Sequence, residues 1–334
     1  MSKVRYIAER TVFTAILIFA VASALFFFFR LMPGDFIDYL AQSGVSGDAM
    51  DDIRAKWGLD DPLYVQYFAY VSNMLTGDMG ESFVYGIPVW ELTAGRIFNS
   101  LILVAPAITL AYVLGGALGG YLGTNRGSTT EKYGIVFASV PRSFPEFFIG
   151  IVLVTIFAGM LGLFPTTGML SIELQREVAD ETMPLWVLLT TDFWSHYLLP
   201  FTTILLYYLT IPTLVMRTSV VETSGQDFLY YHRITGLSKY TRLKQLIKHS
   251  SLPVITLFPI SMTRAIGGMV LVEVVFNWPG IGNLLVESVL ARDFPVIQFV
   301  FLLAAIWVIV GNYLIDILYG MIDPRIAIDG ADEA

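Results

Sequence analysis

Among the ionisable residues in stretches apolar enough to cross a bilayer are Arg142, Glu146, Arg264, Glu273 and Asp316. Such groups are costly at membrane depth and mark conduits, ion pairs or subunit contacts. Arg142 and Glu146, in PRSFPEFF, have the four-residue spacing of an intrahelical pair at a span end. Asp316 follows Asn312 by one turn and lies near a boundary, where it can snorkel or cap. Arg264 lies eleven residues beyond Pro253, deep in its span, and does not easily reach either surface. Arg264, with Glu273, is therefore a candidate to line a water-filled path and meet anionic groups. The competing reading is a buried pair, either between these two residues or with another subunit.

Other chemistry is excluded by composition. The chain has no cysteine, which removes disulfides, thiolate metal sites and thiol catalysis. His196, His232 and His249 are scattered without ligand spacing, so no metal site is expected. No GxxxxGK[ST] occurs, so the chain has no P-loop of its own. Neither HExxH nor GxSxG occurs, and no convincing pair of span carboxylates supports an intramembrane protease. A secondary transporter would need inverted repeats and midplane carboxylates; no repeat is evident and most acids lie outside the spans.

The elements that must position these residues are membrane helices. The 334 residues are 55% hydrophobic, with a mean hydropathy of +0.67, which soluble domains do not reach. A crossing helix needs about 20 apolar residues. Six runs qualify: Thr11–Leu31, Phe98–Thr124, Gly134–Met160, Tyr197–Met216, Pro253–Phe276 and Pro295–Gly320. With both termini inside, the inner segments hold 12 Lys or Arg and the outer ones 5, so N- and C-termini are expected in the cytoplasm of a plasma or inner membrane. No cleavable signal is apparent.

This divides the chain into an N-terminal span (1–31), an extracytoplasmic subdomain (32–97), a five-helix core (98–320) with a polar loop at 217–252, and a tail (321–334). The subdomain carries ten acids against three bases. Its WGLDDPLYVQYFAYVSNMLTGD stretch predicts a helix with Asp60 or Asp61 near its start and Pro62 in its first turn. It either touches substrate or a delivery protein, or only braces the spans. The net charge of −8, with six Lys against fourteen Arg, also fits a high-salt habitat.

In the second run Gly115, Gly119 and Gly123 fall four apart, as do Gly116 and Gly120. That spacing predicts close helix packing rather than a catalytic site. Pro200, Pro212, Pro253 and Pro259 break the later spans, as suits a bundle around a conduit.

The polar loop reads as helix–turn–helix. Ser224 with Asp227 has capping-box spacing for a helix of about ten residues. Gly236 suits the left-handed turn that ends it, and Ser238 caps the next helix. The short helix carries Phe228, Tyr230, Tyr231 and Arg233 and is too short to be stable alone. It either docks its aromatics in a soluble partner's groove or lies on the bilayer surface.

Several longer segments go further: PGD at Pro33–Asp35, GLDDPLYVQY at Gly58–Tyr67, Gly77–Asp78, SVPRSFPEFFIG, LGLFPTTG, RTSVVETSGQDF, LPVIT, GGMVLVEVVFNWPGIGNLL, RDFPVIQ and YLIDILYGMIDPRI. Together they resemble the permease subunits of binding-protein-dependent ABC importers, in particular the dipeptide/oligopeptide family, first-subunit type. The resemblance implies an all-α integral membrane protein with the type I importer fold, six transmembrane helices and an external subdomain between helices 1 and 2. It implies that the polar loop is the coupling element that fits a cleft in a cytoplasmic ATPase, using Gln226, Asp227, Phe228, Tyr230, Tyr231, Arg233, Gly236, Leu237 and Ser238. Gly236 matches the motif glycine, whereas Tyr230, Tyr231 and His232 stand where the family has small residues, and Pro259 replaces a usual glycine. The implied partners are a second similar permease, two ATPase subunits that bind ATP and Mg, and an extracytoplasmic substrate-binding protein. The chain itself then holds no cofactor and is not an enzyme. The implied cargo is a di- or oligopeptide, with nickel chelates, glutathione-like compounds and oligosaccharides also carried within the family.

Overall fold

The computed structural model describes residues 3–31, 58, 60–178, 184–227, 231 and 234–322; the side chains of 3, 4 and 318–322 lie outside that description. The described residues are overwhelmingly helical, and the pairing of Glu81 with Pro88 is an isolated bridge. The helices are α1 (Lys3–Leu31), α2 (Leu63–Thr76), α3 (Val89–Thr124), α4 (Thr129–Ser139), α5 (Glu146–Leu153), α6 (Ile172–Val178), α7 (Thr191–Ser224), α8 (Lys239–Ser250), α9 (Leu252–Phe276), α10 (Ile281–Ala291) and α11 (Phe294–Ile322). Five are long and apolar enough to cross a membrane: α1, α3, α7, α9 and α11.

The third predicted run, Gly134–Met160, is not one helix. It is built from α4, a 3-10 turn at Pro141–Ser143, α5 and a π-helical stretch at Val154–Met160. The break is caused by Pro141 and Pro145. The residue before a proline is pushed out of the helical region, and Phe144 is extended at φ −113°, ψ 156°. Arg142 and Glu146 therefore fall in two different elements. The intrahelical pair their spacing predicts does not form: one guanidinium nitrogen of Arg142 is buried without a hydrogen-bond partner, and its charge lies 5.2 Å over the Tyr207 ring.

The chain divides into two compact units, residues 1–97 with 283–334, and residues 98–282. In the first, α1 packs along α11. Arg10 pairs with Asp316 at 3.3 Å, so Asp316 is neither a cap nor a lone snorkelling acid. Phe26 stacks on Tyr70 of α2 at 5.3 Å between centroids. That helix starts after Pro62 without a side-chain cap and ends at Gly77, whose φ of 84° fits the left-handed C-cap role. Residues 80–89 curl over a fully buried carboxylate, Asp293. It accepts hydrogen bonds from Ser82 Oγ at 2.5 Å and from the Phe83 and Val84 amides at 3.0 and 3.3 Å.

The second unit is organised on α7, whose 34 residues span roughly 51 Å at about 1.5 Å rise each. It begins six residues before, and continues eight residues past, the predicted Tyr197–Met216 span. The glycine stripe of α3 packs against it. A Cβ on Gly115 would meet Pro212 Cγ at 2.7 Å, one on Gly119 would overlap the Thr213 carbonyl oxygen, and one on Gly123 would meet Val220 Cβ at 2.8 Å. The predicted close packing is present, and its partner is identified. On its other sides α7 packs with α4, α5, α8 and α9.

Candidate functional site

The candidate site is the segment that follows α7. Ser224 does not cap a new helix. It is the last residue of α7, and its hydroxyl donates to Val221 O at 2.7 Å. Gly225 closes α7, and helical geometry resumes at Asp227. Sequence spacing identified a capping box there because serine and acid are correctly spaced. The packed helix α7 instead extends as far as Ser224, which makes that residue a helix C-terminus rather than an N-cap.

Of the predicted coupling residues, Gln226, Asp227, Tyr231, Gly236, Leu237 and Ser238 are described, and all are exposed. Phe228, Tyr230 and Arg233, with His232, lie outside the described residues. Gly236 has φ 76°, the left-handed conformation its position requires. Ser238 caps α8 as predicted, accepting from the Thr241 amide at 3.2 Å. The helix it starts packs on both α7 and α9. The described exposed residues thus lie between two helices of the same unit.

A polar anchor sets the first end. Glu131, buried at the start of α4 and outside the spans, accepts from Arg217 Nε at 2.8 Å and also from an Arg217 terminal nitrogen. Its other oxygen accepts from the Gly127 amide at 2.6 Å, and its own amide donates to Ser128 Oγ at 3.1 Å. The Gly127 N–H first, and then Arg217, hold this carboxyl below the usual carboxylate range, opposing a smaller upward push from desolvation. The two residues are 86 apart in the chain, so no local spacing pairs them. Ser128–Glu131, the S-x-x-E of a capping box, is the local feature that marks Glu131 at the start of α4.

The two path candidates are not brought together. They are nine residues apart on α9, roughly 13 Å along the axis. Arg264 is exposed, whereas Glu273 is fully buried. Glu273 accepts from Ser100 Oγ at 2.6 Å and from the Gly282 amide at 2.8 Å. Ser100 Oγ in turn accepts the Ile281 amide at 2.8 Å. Around this carboxylate the turn Asn277–Gly282 closes. Asn277 takes the left-handed C-cap position at φ 47°. Trp278, with no exposed surface, donates its indole N–H to Asn99 O at 2.9 Å, and Asn99 donates to Pro279 O at 2.9 Å. A side chain on Gly280 would occupy the carboxylate's place. The chemistry here is that of a turn held in one shape. Among the described residues no cluster of three or more His, Asp or Glu is placed to hold a metal ion.

Residues 111–328 match the family described as the binding-protein-dependent transport system inner membrane component, and residues 3–98 match the N-terminal domain of the same kind of membrane component. The chain is 32% identical over 328 residues to the oligopeptide transport system permease protein AppB of Bacillus subtilis, covering 96% of this chain and 98% of that one. It is 32% identical over 322 residues to the glutathione transport system permease protein GsiC of Salmonella typhimurium, and 31% identical over 322 residues to that of Escherichia coli K12, with 96% of this chain and 98% of each relative covered. With most of its length matched and an all-helical fold dominated by crossing-length helices, the chain belongs to the binding-protein-dependent transport system inner-membrane component family and is a permease subunit of an ABC importer.

Proposed function

We propose that this permease carries peptides, and that ATP hydrolysis in partner subunits drives it through the segment after α7. The observation that carries the coupling reading is the build of residues 217–250. A helix of roughly 51 Å is anchored two turns before its end by Arg217–Glu131, the described coupling residues beyond it are exposed, and a second helix, α8, packs back on α7 and α9. A lever of this kind transmits motion because both its ends are fixed to the same body. Peptide as cargo rests on relatives named for oligopeptide and glutathione transport; glutathione is itself a tripeptide.

In this reading the chain forms half of the conduit beside a second permease. Two ATPase subunits bind ATP and Mg, and an extracytoplasmic binding protein delivers the cargo. The permease makes no covalent change to the cargo. Its contribution is a difference in stability between two conformations, biased by ATP and by the loaded binding protein. Both termini and the 225–250 region face the cytoplasm. Arg264, exposed on the single chain, lines the conduit and meets peptide carboxylates. Glu273, enclosed by its turn, contributes by holding α9 to the segment that follows it.

The test is mass spectrometry of the subunits that copurify with the chain in mild detergent. A second permease and a P-loop ATPase are expected, with the ATPase lost from Phe228→Ala/Tyr231→Ala. A chain recovered alone and transporting under an ion gradient without ATP overturns the reading. Because the sequence has no cysteine, Thr241→Cys supplies a unique label. It should react with an impermeant maleimide only from the cytoplasmic side.

A further inference from the structure

A groove of about 780 Å³ opens on the second unit between α3, α8 and α9. Its walls include Tyr112, Gly116 and Gly120 of α3, Leu243 and Ile247 of α8, and Phe258 of α9. On α3 it extends from Thr109 to Thr124, about 22 Å along the helix. Half the hydrocarbon thickness is about 15 Å, so the groove runs from within the hydrocarbon to the polar interface. Its volume is that of a small-molecule site rather than of a packing defect. At Gly116 the floor is open, with nothing within 4 Å of the place a Cβ would take.

The mouth has a different chemistry from the walls. Between residues 239 and 250, α8 carries Lys239, Arg242, Lys244 and Lys248 and no acid, in a chain of net charge −8. Lys239 lies one turn before Leu243 on the same helix face. Lys244 and Lys248 each follow a groove residue, Leu243 and Ile247, by one position. All three lysines are exposed. On the α3 side, Arg126 is exposed two residues beyond Thr124. Apolar walls a leaflet deep, ending at a mouth of cations, match a molecule with a hydrocarbon tail and an anionic head. A purely apolar helix of a neighbouring subunit would fill the walls and leave the lysines unanswered.

We infer that this groove binds an anionic phospholipid of the inner leaflet, its acyl chain along Gly116 and Gly120 of α3 and its phosphate between Lys239 and Lys244, which flank the groove residue Leu243 on α8. The inference rests on the proposed cytoplasmic placement of α8. A lipid seated there touches α8, the element that returns the coupling segment to the bundle, and so stiffens it.

The test uses the full chain with its copurifying subunits in mild detergent, offered equimolar phosphatidylglycerol and phosphatidylcholine and read by native mass spectrometry. Retained lipid should be predominantly phosphatidylglycerol. Lys239→Gln/Lys244→Gln should reduce that preference by roughly fivefold per lysine, on the order of 25-fold in all. Gly116→Leu, which fills open space and leaves the charges in place, should lower retention of both lipids. An unchanged preference in the double variant, or unchanged retention in Gly116→Leu, overturns the inference. So does lipid retained by the isolated chain but absent from the assembled complex, which would assign the groove to a neighbouring subunit. Partner recovery is scored on the same samples. Absence of the ATPase with the phosphatidylglycerol preference intact would sink the coupling reading and leave this one standing.

Discussion

Two turns of the same unit meet opposite fates. The turn after α9, Asn277–Gly282, closes over the fully buried carboxylate of Glu273 and inserts a fully buried tryptophan. The segment after α7, residues 225–238, leaves every described predicted coupling residue exposed, and its polar anchor, Arg217–Glu131, lies behind it rather than inside it. Both have glycines and aromatics. The difference lies in where the hydrogen bonds close. In the first turn the backbone amides are satisfied by a side chain within the fold, so the shape is fixed without a partner. In the second, the helices on either side are packed into the unit and the described coupling residues face outward. Membrane proteins keep irregular backbone where protein encloses it or where it meets water, and this unit does both.

The sharpest way to break the contrast is Glu273→Ala. It strands the Ser100 hydroxyl and the Gly282 amide in a buried site and should cost about 3 kcal/mol, seen as a large fall in the detergent melting midpoint. Glu273→Gln keeps an acceptor and should cost about half of that. If Glu273→Ala melts like wild type while transport is lost, the residue belongs to the conduit and not to the turn.

Next comes the anchor. Because the Glu131 carboxyl is held below its usual range, its contribution is fully present above the unfolded value of about 4.3 and is lost as pH falls through the depressed folded value. Melting midpoints of wild type and Glu131→Gln should therefore differ at neutral pH and converge in strong acid. A gap that persists at low pH would show that the charge is irrelevant to the anchor.

Smaller still, Gly236→Ala places a Cβ at φ 76° and should destabilise by about 1 kcal/mol. With nothing within 4 Å of that Cβ, the penalty is conformational and not steric. Tyr231→Ala should change stability least, by under about 0.5 kcal/mol, since the side chain is 60% exposed. Its effect should appear only as lost recovery of the ATPase. A melting shift as large as that of Gly236→Ala would mean that Tyr231 packs inward.

Much of this was readable from residue order. Helical class, the crossing segments α1, α3, α9 and α11, the packing role of Gly115, Gly119 and Gly123, the left-handed Gly236 and the Ser238 cap all follow from local rules. Length of apolar run, small-residue spacing and cap chemistry act over a few residues, so a single sequence expresses them. What misled was also local. Ser224–Asp227 has the spacing of a cap, but α7, packed along its length by α3, α4, α8 and α9, extends to Ser224 and makes it the helix's last residue. Arg142–Glu146 has the spacing of a pair, but prolines divide it.

The identity of Glu273 as the centre of a turn was not local at all. Its partners are Ser100, distant in sequence, and an amide nine residues on, and only the packed bundle brings them together. The same holds for Glu131 with Arg217 and for the groove between α3, α8 and α9. Sequence alone determined which segments are apolar enough to cross a membrane and which residue types cap and kink them, because those properties are settled between a residue and its near neighbours. The tertiary structure decided which of the ionisable residues are enclosed and which face outward, because burial and hydrogen bonding are properties of elements that meet only when the chain has folded.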